Sequence, residues 1–447
     1  MKHIIFVITI ISLIAGCKKT EYVAKFDEEP QVRIQKEIQQ LRTSLTEAPN
    51  GWIGVMPTLT GGGYGFYINF DKDESLMMQA DLDTNMALTA AKSMYRVKQD
   101  MGVNLMFDTY NYISKLNDPE PSVFGGAIRD GYKSDIEFVF DYARGDTLGF
   151  IGKRYRQPFT LIKASAAQKT KYNNGEYKTL MKSFVNFFVD NPNAYIDATS
   201  GGSPVKAGVI VNSTNNLNSG KRVELSALLP DGSVTAAKQK FAFTIDGIKI
   251  LDNGLDILGI NFTRMAWKDA TQLAMYDNKG QEYIIRNSPT PLLPLYKLWG
   301  SKYSGIWSPF QTIFPGTSPA GRDTLNFFHN NMTNGYTGFV FNYGELYMEW
   351  NTVNSRLVLN GFSSQNGGQS GWTTSGTFSY TVDNNGVFRF TTQAPLSGGY
   401  VSKAMTKMVN FLLNNEVAFD YYVDGADVYA KMYSVNDPTT VMTFILY

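Results

Sequence analysis

Residues 61–70 read Gly-Gly-Gly-Tyr-Gly-Phe-Tyr-Ile-Asn-Phe. Tyr64, Phe66, Ile68 and Phe70 alternate with Gly65, Tyr67 and Asn69. That period of two sets one apolar edge against a core and leaves a mixed second face. A second run, 103–112, places Val103, Leu105 and Phe107 on one face and Asp108, Tyr110 and Tyr112 on the other. The two runs are expected to pair as strands at the centre of a β-domain. Their second faces would then offer Tyr67, Asp108, Tyr110 and Tyr112 as a patch for a polar, ring-containing ligand. The alternative is that a helix or loop covers that face, as is usual for aromatic faces in a large β-protein.

Elsewhere the period changes. After Pro30, residues Ile34, Ile38, Leu41, Leu45 and Ala48 follow at helical spacing until Pro49, Asn50 and Gly51 break it. A second helix is expected over 176–190, with Tyr177, Leu180, Met181, Phe184 and Phe188 aligned. A third is expected over 401–414, with Val401, Met405, Met408 and Leu412 aligned. Short strands at 75–80, 93–98, 136–140, 147–152 and 159–163 complete a first unit, and 208–211, 223–228, 240–245 and 282–286 make a second. In the last unit Glu345, Tyr347 and Glu349 alternate with Leu346, Met348 and Trp350. Asp383, Asn384, Asn385 and Gly386 form a hairpin turn there, and strands at 417–423 and 439–446 close the chain. The fold class is therefore α+β, predominantly antiparallel β in barrel- or sandwich-like units, with three amphipathic helices. The proline-rich stretch 288–294 is the sharpest boundary, giving units 30–165, 166–294 and 295–447.

Composition narrows the function classes. Formal net charge is +1, and removal of residues 1–16 takes away Lys2 and leaves 40 basic against 40 acidic side chains. No basic field exists to hold nucleic acid. The aromatic share is 14%, and Trp307 and Trp372, with Tyr67, Tyr110 and Tyr112, are not assigned to a core by pattern. Such rings can stack on sugars or peptides. His329 is the single imidazole after residue 16 and Cys17 the single cysteine, so a His/Cys metal site cannot be assembled within one chain. No cofactor is implied.

Three motifs touch on chemistry. Asp81, Asp83 and Asn85 copy the start of a calcium loop, but Met86 and Lys92 stand where glycine and glutamate belong. Ser203 and Lys206 match a serine–lysine spacing in a Gly-Gly-Ser-Pro context that reads as loop. His329, within Asn326–Asn331, reads as a turn or core-edge residue.

Residues 1–16 carry Lys2 and His3, an apolar run and small residues, which describes a secretory signal too short to span a bilayer. Ile14, Ala15, Gly16 and Cys17 match a bacterial lipobox, with Cys17 as the acylated residue and 17–29 as a tether. The lipobox, the helix ending at Asn50-Gly51-Trp52, the run 61–70, the stretch 107–112, Ile136-Glu137-Phe138 and the closing Asp437-Pro438 and Thr443-Phe444 together resemble an uncharacterised family of Bacteroidota lipoproteins, classed as a domain of unknown function. The resemblance implies a lipid-anchored protein of the outer membrane, on its periplasmic or cell-surface face. It also implies a TonB-dependent importer or companion lipoprotein as partner.

The expectation is a non-enzymatic ligand-binding or accessory protein of nutrient capture, with glycan or peptide as ligand. A secreted glycan or peptide hydrolase, or a structural partner in an envelope complex, are the alternatives. Cys17→Ser should abolish incorporation of labelled fatty acid and release the protein from the membrane fraction. Persistent labelling would remove the lipobox reading.

Overall fold

A computed structural model describes residues 29–100, 102–309, 311–334, 340–397 and 399–447. Cys17 and the expected signal segment, residues 1–16, lie outside the described residues. The chain packs as two compact units. One ends at Thr60 and resumes over Gly65–Gly175, and the other combines Gly61–Tyr64 with Glu176–Tyr447.

The first unit starts with α1 (Pro30–Thr46), whose Ile38, Leu41 and Leu45 are buried. The Trp52 indole donates to the Leu45 carbonyl at 2.9 Å, satisfying one of the orphan acceptors at the helix end. Arg42 reaches Glu74 at 2.7 Å and the Val97 carbonyl at 3.2 Å, which fastens the polar side of the helix. Gly51 turns the chain with φ of 74°, and a Cβ there would meet the Asn69 side chain at 2.4 Å.

Eight strands then close a barrel in sequence order. They are β1 (Trp52–Pro57), β2 (Gly63–Phe70), β3 (Ser75–Ala80), β4 (Ala91–Gln99), β5 (Val103–Phe107), β6 (Glu137–Arg144), β7 (Thr147–Gly152) and β8 (Pro158–Lys163). Their inward residues fill the lumen with rings. Phe159 lies 6.5 Å from Phe66, 6.2 Å from Phe107, 4.9 Å from Phe138 and 6.0 Å from Phe150. Gly54 faces this cluster, and a Cβ there would come within 3.1 Å of the Phe159 ring. Short helices α2 (Tyr112–Lys115) and α3 (Pro121–Phe124) lie between β5 and β6, and α4 (Ala166–Asn173) follows β8.

The second unit takes in α5 (Glu176–Asp190), which buries Tyr177, Met181 and Phe184. The Tyr177 hydroxyl donates to the Phe243 carbonyl at 2.9 Å, and Phe184 meets the Phe243 ring edge-on at 5.5 Å. Ten strands form its antiparallel sheet: β9 (Ala194–Ser200), β10 (Ser203–Asn212), β11 (Arg222–Leu228), β12 (Val234–Thr244), β13 (Gly247–Ile250), β14 (Leu255–Ile257), β15 (Ile260–Trp267), β16 (Leu273–Asp277), β17 (Glu282–Ile284) and β18 (Arg286–Asn287). β17 pairs with β16 and β18 with β9, so one short segment carries both ends of the sheet. That arrangement protects edges that would otherwise invite pairing with another chain.

A second closed barrel follows: β19 (Gly305–Ser308), β20 (Tyr343–Asn351), β21 (Arg356–Ser364), β22 (Trp372–Val382), β23 (Val387–Ala394), β24 (Val417–Asp424), β25 (Asp427–Ser434) and β26 (Val441–Leu446). Its core stacks Trp299 on Trp350 at 4.1 Å, with Phe419 edge-on to both. The chain is thus α+β, dominated by antiparallel sheet in barrel-like units.

Several expectations need correction. The expected runs β2 and β5 are not paired, because β3 and β4 lie between them. The run 103–112 ends as a strand at Phe107, since the Asn111 side chain caps α2 through the N–H groups of Ile113 and Ser114. Helices extend beyond the expected three: α4 begins at a Ser165/Gln168 capping box, and α6 spans Pro319–Asn334. The expected helix over 401–414 is two, α7 (Gly399–Ala404) and α8 (Thr406–Asn414). The closing pair of strands is a triplet, with β25 between the two expected.

Phe159→Ala should destabilise the first unit by about 3–5 kcal/mol, whereas Val353→Ser, at a residue 92% exposed, should shift stability by less than about 0.5 kcal/mol. Urea unfolding measures both. A loss below about 1 kcal/mol for Phe159→Ala would mean that the lumen is not packed around this ring.

Candidate functional site

One of the four candidate residues of the first unit, Tyr67, has its side chain committed within the fold, and the other three engage neighbours at the surface. Tyr67 is buried at 3% exposure; its ring stacks on Tyr172 of α4 at 4.2 Å, and its hydroxyl donates to the Asn50 carbonyl at 2.8 Å. Tyr112 donates to the Thr89 carbonyl at 3.0 Å. Asp108 pairs with Arg96 at 2.8 Å, and the exposed Tyr110 donates to Asp118 at 2.5 Å. The structure does not bring these four together on one strand pair. A helix closes over Tyr67, and the other three follow the chain out of β5 into a capped turn.

The other motifs resolve into local structure. Asp83 accepts from the backbone N–H groups of Asn85 and Met86, both at 2.7 Å, which closes a turn. Ser203 and Lys206 lie three residues apart on β10 and so project to opposite faces. The Lys206 ammonium sits 4.5 Å from the Tyr195 ring. His329 lies within α6 at 3% exposure, and its Nε2 is 3.3 Å from the Ser308 hydroxyl. Ser308 is itself buried, so this serine–histidine pair offers no surface to a substrate.

The open chemistry lies on the outer face of the second barrel. Alternation along β20 turns Leu346, Met348 and Trp350 inward, which leaves Glu345, Tyr347 and Glu349 outside. Register then sets neighbours beside them. Trp307 of β19 faces Tyr347, which faces Asn360 of β21, which faces Ser375 of β22. Glu345 lies in the adjacent row with Phe362 and Thr373. The Trp307 and Tyr347 rings are parallel within 7° at 6.3 Å. Glu345, Tyr347, Glu349, Asn360, Phe362 and Thr373 line a shallow groove of about 490 Å³.

Neutral donors hold both carboxylates. The hydroxyls of Tyr343 and Tyr347 donate to Glu345, which is 8% exposed despite facing outward. The hydrogen bond to Glu345, with burial, pushes the Tyr343 hydroxyl up to about 12. Asn360 Nδ2 donates to Glu349 at 3.0 Å, and the Ser375 hydroxyl donates to Asn360 Oδ1. Burial and then Glu349 raise the Tyr447 hydroxyl. Glu345 and Glu349 stand four residues apart on one strand, roughly 13–14 Å along the backbone with Tyr347 between them. Paired glycosidase carboxyls stand about 5–9.5 Å apart. The arrangement offers flat rings and hydrogen-bond acceptors, which suits holding a ligand.

Sequence reasoning saw the Glu345, Tyr347 and Glu349 alternation and singled out Trp307. It did not reach Asn360, Phe362 or Thr373, which join the site only through strand register. Trp372 lies elsewhere, 46% exposed and 5.6 Å from the Phe341 ring.

Fold and site define a multi-barrel β-protein with an acidic, aromatic groove on one outer barrel face. The chain belongs to the family described as a domain of unknown function, DUF4302, whose model matches residues 24–269. The match takes in the first barrel and much of the ten-stranded sheet. The groove and the closing residues Asp437, Pro438, Thr443 and Phe444 fall outside it. No curated protein matches the chain.

Burial lowers His329 from 6.5 to about 4. The unfolded chain therefore binds the proton more tightly. The neutral ring's contribution to stability is present in full above pH 6.5 and is lost as pH falls through about 4. In protein beginning at Cys17 the imidazole resonance belongs to His329 alone, and its NMR titration midpoint should fall near 4. A midpoint near 6.5 would mean a solvated ring.

Proposed function

We propose that the protein is a lipid-anchored component of the cell envelope, held by an acylated Cys17, that binds a polar ligand without transforming it. Its place is the outer membrane, on the periplasmic or cell-surface face, as an accessory in nutrient capture beside a TonB-dependent importer or companion lipoprotein. The lipobox spacing supports the anchor. Among the described residues no helix is long and apolar enough to cross a membrane.

The observation that carries the binding reading is the outward row Trp307, Tyr347 and Asn360, with Glu345 and Glu349 on either side. Rings give contact area and the polar groups fix orientation, the usual division of labour in a ligand site. The groove is open and its carboxylates are held as acceptors, which favours retention over acid–base hydrolysis.

Trp307→Ala should weaken the ligand found on a glycan and peptide panel at least tenfold, about 1.4 kcal/mol. The cross-strand pair it forms with Tyr347 should cost no more than about 1 kcal/mol of stability. Calorimetric binding and thermal melting measure the two. Unchanged binding together with a large drop in melting temperature would make Trp307 a packing residue.

A further inference from the structure

Charge around the groove narrows the ligand class, and this step rests on the binding reading above. Some of the protein's carboxylates have cationic partners, among them Glu74 with Arg42, Asp108 with Arg96, Glu137 with Lys153, Glu282 with Lys268 and Glu416 with Arg389. Glu345 and Glu349 have none among the described residues, and no lysine or arginine lines the groove. Phenol, amide and hydroxyl groups satisfy geometry but bring no positive charge. Glu345 is nine-tenths buried, where an uncompensated charge is most expensive.

We infer that the groove takes a basic, extended peptide, with a guanidinium or ammonium group placed against Glu345 and Glu349 over the Trp307 and Tyr347 rings. A guanidinium supplies the missing counter-charge, donates in a planar fork to a carboxylate and stacks on an aromatic face. The carboxylates lie four residues apart on β20, so basic residues four apart in an extended peptide span the same roughly 13–14 Å. A neutral sugar would cover the rings but leave two negative charges uncompensated. An anionic ligand would meet repulsion. Formal net charge of the whole chain is +1, so attraction of a basic peptide has to be local.

The test is calorimetric titration of the full mature protein with three probes: a peptide with arginines four residues apart, its glutamate counterpart, and a neutral hexasaccharide. Each is repeated with Glu345→Gln, Glu349→Gln and Trp307→Ala at low and at half-molar salt. The expected result is binding of the arginine peptide alone, weakened at least tenfold by either glutamine variant and by salt. Melting curves should show both glutamine variants folded, and the exposed Glu349 gives a readout if Glu345→Gln is less stable. Hexasaccharide binding that depends on Trp307 but is indifferent to the glutamine variants would overturn the basic-peptide inference and leave the groove a binding site. Binding that Trp307→Ala does not change, or no binding of any probe, would overturn both.

Discussion

Phe159 touches four other phenylalanine rings inside the first barrel, and the Trp299–Trp350 stack with Phe419 occupies the second. Eight strands enclose a space that side chains just fill, so residues committed to that filling leave little room for a ligand. Period-two alternation then fixes the consequence. Each inward residue sends its neighbour outward. Some of the outer faces are closed: Tyr67 lies under Tyr172, and Tyr429 lies 5.0 Å from Phe314. The Thr317 hydroxyl, 2.6 Å from that of Thr443, ties the segment bearing Phe314 to β26. The face bearing Trp307, Tyr347 and Asn360 stays open.

Glu345 is drawn down between Tyr343 and Tyr347, and Glu349 is held by Asn360. Strand register sets Phe362 beside Glu345, and Gly305 and Val358 beside Glu349, so none of their cross-strand partners is cationic. Packing thus determines which residues face outward, and strand register determines which of them meet.

Much of the fold was legible. Strand 147–152 and helix 176–190 agree with the observed bounds because their periods are clean and their ends are marked by turn residues. Alternation in 61–70 identified a strand but not what lies over its second face, which depends on Tyr172 about a hundred residues later. Helix α6 was hidden because its asparagines are poor helix formers, and tertiary packing of Leu325 and Phe328 overrides them. The capping role of Asn111 turned a long apparent strand into a strand and a helix. Half of the groove was visible as the alternation at Glu345, Tyr347 and Glu349. The other half comes from β21 and β22, whose register against β20 no local pattern encodes.

The most direct measurement of the central claim, that ligand is met on the outer face of the second barrel, is the indole N–H spectrum during titration with a binding ligand. The chain has six tryptophans. Trp307 Nε1 is buried with no hydrogen-bond partner among the described residues, while Trp52 Nε1 is held by Leu45 and serves as the reference. The expected result is a shift of the Trp307 resonance with Trp52, Trp299 and Trp350 unmoved. Movement of Trp299 and Trp350 with Trp307 unchanged would place the ligand in the barrel core and contradict the claim.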